Sequence, residues 1–171
     1  MSDPMSAIVF EALFPDVRLP ARATDGSAGY DVRAHLTGRR VRCCVGTEGT
    51  VYERESAHDD SSFSIAPGER ALIPLGFKAR LPAGYEAQVR LRSSIAFKKG
   101  LIIPNAPGTI DADYPDEWLV MMRNDASVPA KIEHGERIAQ IILAKFEVLE
   151  WTSGIVAVTT RSGGVGSTGA S

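Results

Sequence analysis

Apolar positions in this 171-residue chain come in short, largely β-branched runs rather than at helical spacing. Ile8 to Leu13 alternates and predicts a first strand, and Tyr30 to Ala34 predicts another behind a Gly-Ser-Ala-Gly turn. Further strands are predicted at Ser62 to Ile65, Arg70 to Leu75, Gly76 to Leu81 and Tyr85 to Leu91, divided by the turn residues Pro67-Gly68 and Pro82-Ala83-Gly84. Later ones fall at Leu101 to Ile103, Thr109 to Ile110, Trp118 to Asn124, Val128 to Ile132 and Arg137 to Val148. Only Glu136 to Phe146 has a helical alternative, and its isoleucines favour strand. Many short strands at this spacing predict an all-β sandwich or jelly roll.

Two segments stand apart from this pattern. Gly38 to Ser62 is mostly polar, with charges of both signs, and reads as an inserted loop or arm. Ser162 to Ser171 is nearly all glycine, serine and alanine and reads as a tail. The length allows one domain at roughly 150 residues each. With 44% hydrophobic residues the chain can build a core, and 16 glycines and 10 prolines supply its turns.

Lysine and arginine total 19 against 21 aspartates and glutamates, a net charge of −2. That balance lacks the basic excess of a duplex-binding protein, so no nucleic-acid partner is expected. No run approaches the about 18 apolar residues of a membrane span, and the start MSDPMSAIVF lacks the pattern of a signal peptide, so a cytoplasmic protein without membrane attachment is expected. Cys43 and Cys44 are adjacent, a poor geometry for a disulfide and too few ligands for zinc, and are read as reduced thiols.

Three stretches carry candidate chemistry. Arg92-Ser93-Ser94 places a guanidinium and two hydroxyls at the end of a predicted strand, donors that suit phosphate oxygens; a solvated turn is the plain alternative. Asn105 to Glu117, NAPGTIDADYPDE, concentrates carboxylates about Asp111 and Asp113, which share a side if the strand continues and could bind a cation or supply a general base. A charged hairpin loop would explain the same residues. The segment from Arg161 to Gly169 combines a cation with glycines whose backbone N–H groups can approach a polyphosphate, although it lacks the lysine and following helix of a Walker A loop.

Taken together and in order, GSAGYD (Gly26 to Asp31), RSSIA (Arg92 to Ala96), NAPGTIDADY (Asn105 to Tyr114), GERIAQ (Gly135 to Gln140) and RSGGVGSTG (Arg161 to Gly169) resemble the five motifs of the trimeric dUTP pyrophosphatase (dUTPase) family. The resemblance implies a distorted jelly-roll β-barrel or sandwich over residues 1–160, with a glycine-rich C-terminal lid at 161–171. It implies a homotrimer with shared active sites that hydrolyses dUTP to dUMP and pyrophosphate with Mg2+, by attack of water on the α-phosphorus. By the same resemblance Asp111 is the general base, and Tyr114 packs on the deoxyribose and excludes a 2′-hydroxyl. Asn105 with Gly108, Thr109 and Ile110 reads the uracil edge. Arg92, Ser93, Ser94 and Gln140 bind the phosphates, and Asp31 holds the magnesium through water or keeps the site's shape. Arg161 with Gly164, Val165, Gly166 and Ser167 closes over the substrate.

The chain departs from the family pattern in four places. Val165 stands where an aromatic ring is usual, in a motif one residue shorter than usual, and Pro115-Asp116 where arginine and glycine are common. Ser94 replaces a glycine and matches the dCTP deaminases of the same fold, and the 38–62 segment lengthens the connection after Asp31. Two alternatives therefore stay open: a nucleotide-gated regulatory protein that binds a partner through residues 38–62, and a dCTP deaminase or bifunctional relative.

Overall fold

Alternation of side chains decides the architecture. In the computed structural model, which describes residues 7–46 and 48–160, the apolar runs become strands buried on one face. In chain order these are β1 (Val9–Ala12), β2 (Ala21–Arg22), β3 (Tyr30–Arg33), β4 (Arg40–Val45), β5 (Thr50–Glu55), β6 (Ser62–Ile65), β7 (Arg70–Pro74), β8 (Phe77–Arg80) and β9 (Tyr85–Leu91). One helix follows, α1 (Ser93–Lys99), then β10 (Leu101–Ile102), β11 (Gly108–Ile110), β12 (Leu119–Asn124), β13 (Ala130–Glu133) and β14 (Arg137–Lys145). Strands β10-β12-β7-β4-β5 form one five-stranded sheet and β11-β9-β14-β3-β2 another, with β1-β8 and β13-β6 as two-stranded ribbons. The described pairings are all antiparallel.

The inner faces of both large sheets feed one core. Val41, Ile73, Val120 and Met122 enter from the first sheet and Val32, Ala87, Val89 and Ile141 from the second. The result is the all-β, jelly-roll-type fold expected, without a closed barrel. Among the described residues no helix is long and apolar enough to cross a membrane.

One local feature follows the pattern read in the sequence and one departs from it. Glu136 to Phe146, the segment with a helical alternative, is strand β14. The helix lies instead at Ser93–Lys99, where Ile95 is the one buried side chain and Gly100 ends the turn in the left-handed region at φ 63°. A seven-residue helix with a single buried anchor has no apolar stripe to detect, so its signal is absent from the hydrophobic pattern.

Residues 38–62 are built into the sheet. Strands β4 and β5 form a hairpin within them, and β4 also pairs with β7 through Arg42↔Leu72, Cys43↔Ala71 and Cys44↔Arg70. Val41 and Cys43 point into the core, while Arg40 and Arg42 face outwards. Burying an aliphatic side chain is worth about 1.5–3 kcal/mol, whereas exposed pairs such as Arg40 with Glu53 are worth under about 1 kcal/mol. The apolar part of the hairpin's docking therefore comes from Val41 and Cys43, with half-buried Tyr52 beside them, which the surrounding charges conceal in composition.

Polar anchors fasten the hairpin at its open end and along β5. Arg39 donates to both carboxylate oxygens of Glu117, and Glu117 also accepts from the backbone N–H of Gly76 at 2.7 Å. Glu69, only 2% exposed, accepts from the Tyr52 hydroxyl at 2.7 Å, the Ala66 backbone N–H at 2.7 Å and the Arg54 guanidinium at 2.7 Å. Burial opposes the charge on Glu69, but the hydrogen bonds from Tyr52, Ala66 and Arg54 outweigh it and hold the carboxyl below its ordinary value. Burial, with Glu69 nearby, pushes the Cys43 thiol up to about 11, and the hydrogen bond to Glu69 pushes the Tyr52 phenol up to about 12. Cys43 is thus a neutral core thiol.

A carboxylate whose folded pKa is lowered stabilises the fold above its unfolded value and loses that contribution as pH falls through the folded value. Glu69→Gln should therefore cost on the order of 2 kcal/mol at neutral pH, since it weakens the charge-assisted hydrogen bonds of a buried carboxylate whose arginine partner is partly exposed. The gap between variant and wild type should shrink as pH drops below 4.5, the ordinary glutamate value. Thermal unfolding of both proteins across that range checks this; a gap that does not change with pH would show that Glu69 is not ionised in the fold.

Candidate active site

The residues singled out in the sequence fall into two groups. The first forms where β3, β9 and β14 lie side by side. Gln140 on β14 sits opposite Asp31 on β3 and Arg90 on β9, so the strand ends of three motifs meet here. Asp31 is held between two guanidiniums, its Oδ1 3.2 Å from Arg92 Nε and its Oδ2 accepting from Arg137 Nη1 at 3.0 Å. Arg92 is the residue that caps α1, and Ser93 and Ser94 stand exposed in the first turn behind it.

Packing explains the glycine just before β3. A Cβ built on Gly29 would lie 2.2 Å from Gln140 Oε1 and 3.0 Å from Gln140 Cβ and Cδ. Only a residue without a side chain lets Gln140 occupy its place.

The second group surrounds β11. Asn105, Gly108, Thr109, Ile110, Asp111 and Tyr114 line one cavity of about 360 Å³. Among the described residues strand β11 lies at the edge of its sheet and pairs only with β9, so the backbone groups on its other side have no ladder partner there. Asp111 follows directly on this edge strand. Its carboxylate is exposed and takes no hydrogen bond from any described residue, while its carbonyl accepts from the Tyr114 N–H at 3.2 Å and closes the turn that carries the tyrosine ring. None of Asp31, Arg92, Ser93, Ser94 and Gln140 lines this cavity. Arg161, Gly164, Val165, Gly166 and Ser167 lie outside the described residues.

Two functional features were not legible in the sequence. Arg137 stands inside GERIAQ yet is recognised as the partner of Asp31 only in the fold. Arg42, from the hairpin, lines the Asp111 cavity together with Leu72 and Met121. Its only sequence signal is its place in the alternation Arg40, Val41, Arg42, Cys43.

The donor set bears on magnesium. Both oxygens of Asp31 are engaged by arginines, so Asp31 suits a shape-keeping role rather than ligation of a second cation. Asp111, with a free carboxylate at the cavity, fits an ion that arrives on phosphate oxygens and keeps part of its water.

A separate polar cluster joins Asp16, His35 and His134. The ligand atoms of the three lie within 4.8 Å of one another, which would suit a metal by distance. Chemistry argues otherwise. His134 Nδ1 accepts the backbone N–H of Leu36 at 3.0 Å and of Thr37 at 3.2 Å, so the ring proton sits on Nε2 and is donated to Asp16 at 2.8 Å. A cation at that point would meet an N–H rather than a lone pair. The cluster acts as a clamp holding the start of β14 against the chain after β3.

Comparison with known proteins gives the family. The dUTPase family model matches residues 58–169. The chain belongs to the dUTPase family. It is 40% identical to the deoxyuridine 5'-triphosphate nucleotidohydrolase of Rhizobium rhizogenes, over 88% of this chain and 85% of that protein. It is 41% identical to the enzyme of the same name from Desulfotalea psychrophila, over 88% and 87%. The crystal structure of dUTPase from Streptococcus mutans superimposes with a TM-score of 0.62 at 26% identity, covering 83% of this chain and 98% of that one. Of the stretches singled out in the sequence, GSAGYD, RSSIA and GERIAQ meet around Asp31, and NAPGTIDADY surrounds the β11 cavity.

Proposed function

We propose that the chain hydrolyses dUTP to dUMP and pyrophosphate, with Asp111 as the general base for attack of water on the α-phosphorus. The observation that carries this reading is the free Asp111 carboxylate at the end of an edge strand, in a cavity that also presents Asn105 and Tyr114. An amide offers both a donor and an acceptor, and the unpaired side of β11 offers backbone ones, which together can read the edge of a uracil. A cytosine would present the reversed donor pattern at one position, and a thymine methyl would need room beside the edge strand. The Tyr114 ring at the cavity wall suits packing against a deoxyribose, where a 2′-hydroxyl would collide.

Water is a poor nucleophile at neutral pH, and a carboxylate without a protein partner is free to take its proton as the bond to phosphorus forms. Magnesium, when bound on the phosphate oxygens, would neutralise charge on the leaving pyrophosphate. Asp111 would meet that ion's water shell, and Asp31, bonded to both Arg92 and Arg137, would orient them.

The division into two groups supports a site completed between subunits of a homotrimer, because the arginine and serine donors do not line the base cavity of their own chain. Exposure of Val148, Leu149, Trp151, Ile155, Val156 and Val158, each at least 80% accessible, supports the same reading, since an apolar stretch of that length is normally covered by a partner. The segment from Arg161 onwards would close over the bound nucleotide and exclude water.

Pyrophosphate release from dUTP, dCTP, dTTP and UTP, with magnesium and then with chelator, tests the proposal. The expected result is release from dUTP alone, lost on chelation. Ammonia release from dCTP would move the assignment to a deaminase, and tight binding of dUTP without release would move it to a nucleotide-gated regulator.

A further inference from the structure

The cavity around Asp111 has an electrostatic imbalance that its own motif does not resolve. Of the described residues lining it, only two are charged, Asp111 and Arg42. A nucleotide triphosphate brought within reach of the Asp111 carboxylate meets a like charge, and without a cation on the same walls that approach is opposed. Arg42 is the one lining residue that can offset it.

Arg42 is placed there by the sheet. It lies opposite Leu72 in the β4–β7 pairing, and Leu72 lies opposite Met121 in the β7–β12 pairing, so the three form one row on the outer face and all line the cavity. Its backbone is held on both sides, by β5 and β7, with the neighbouring Val41 and Cys43 in the core. Other arginines of the region are committed elsewhere: Arg39 to Glu117, Arg54 to Glu69 and Arg70 to the Gly46 carbonyl. Among the described residues Arg42 has no ion pair and no side-chain hydrogen bond. A guanidinium fixed at its base and unclaimed at its tip is ready to meet a phosphate with a planar pair of donors.

We infer that Arg42 is a substrate-binding residue of this site, contributed by the 38–62 hairpin, and that it engages the phosphate chain of the nucleotide held beside Asp111. The inference rests on the dUTP reading above and adds to it a determinant outside the five motifs. It also assigns the hairpin a role in the site.

The test compares wild type, Arg42→Gln and Arg42→Lys in binding the non-hydrolysable α,β-imido analogue of dUTP, dUMP and deoxyuridine, the last by NMR titration. Arg42→Gln should weaken the imido analogue about tenfold, the loss of one charge-assisted contact at an open site, while leaving deoxyuridine unchanged. Arg42→Lys should recover part of the loss. Since the side chain is exposed, both variants should unfold at the wild-type temperature. Unchanged affinity of Arg42→Gln for the imido analogue, or an equal loss on deoxyuridine, would overturn the inference while wild-type hydrolysis of dUTP left the main reading intact. A wild-type chain that binds none of the three would remove both.

Discussion

Asp111→Asn should lower dUTP turnover by about a thousandfold or more while the α,β-imido analogue binds within a few-fold of wild type. The argument is local. Asparagine keeps the size of the side chain and removes its basicity, so water at the α-phosphorus loses its proton acceptor. Nothing else in the fold depends on the charge, because the Asp111 carboxylate is exposed and receives no hydrogen bond from a described residue. The turn it opens is closed by its backbone carbonyl, which the substitution keeps. Stability should therefore be unchanged, and removing a negative charge beside the phosphates could tighten the analogue slightly. Single-turnover hydrolysis and analogue titration on the same preparation check both halves. A turnover within tenfold of wild type would remove the general-base assignment, and a matching loss of binding would make Asp111 a binding residue instead.

Gly29→Ala should reduce kcat/KM for dUTP by roughly a hundredfold, through a residue that does not itself touch the substrate. The added methyl would fall 2.2 Å from Gln140 Oε1 and 3.0 Å from Gln140 Cβ. The amide end can rotate away, but the Cβ cannot, because Gln140 is paired on one side with Asp31 and on the other with Arg90 in the middle of the sheet. The side chain must then leave the position it holds beside Asp31 and the Arg92 donors. A double-mutant cycle separates this route from simple misfolding. On a Gln140→Gly background the methyl meets neither amide nor Cβ, so Gly29→Ala should add little further loss there. Losses that multiply in the double variant would show that Gly29 acts on the fold and not through Gln140.

Much of the strand pattern was legible because each strand buries one face, and alternation over a few residues is enough to show it. Strands β7, β9 and β12 carry that signature openly. The β4–β5 hairpin did not, since its outward positions are arginines and glutamates and its inward ones are few. Helix α1 was hidden for the opposite reason: one buried isoleucine leaves no period to read. The third-motif residues Asn105 to Tyr114 are neighbours in the chain and remain neighbours in the fold, so their grouping could be read directly.

What the sequence determined by itself was the local chemistry: an all-β chain, the identity of the donor and carboxylate residues, and their resemblance to the dUTPase motifs. The tertiary structure alone decided the long-range pairings: Asp31 between Arg92 and Arg137, Gln140 over Gly29, and Arg42 on the wall of the Asp111 cavity. The physical reason is that local pattern reports which face of a strand is buried. Which strands become neighbours, and so which distant side chains meet, is settled only when the two sheets close on a shared core.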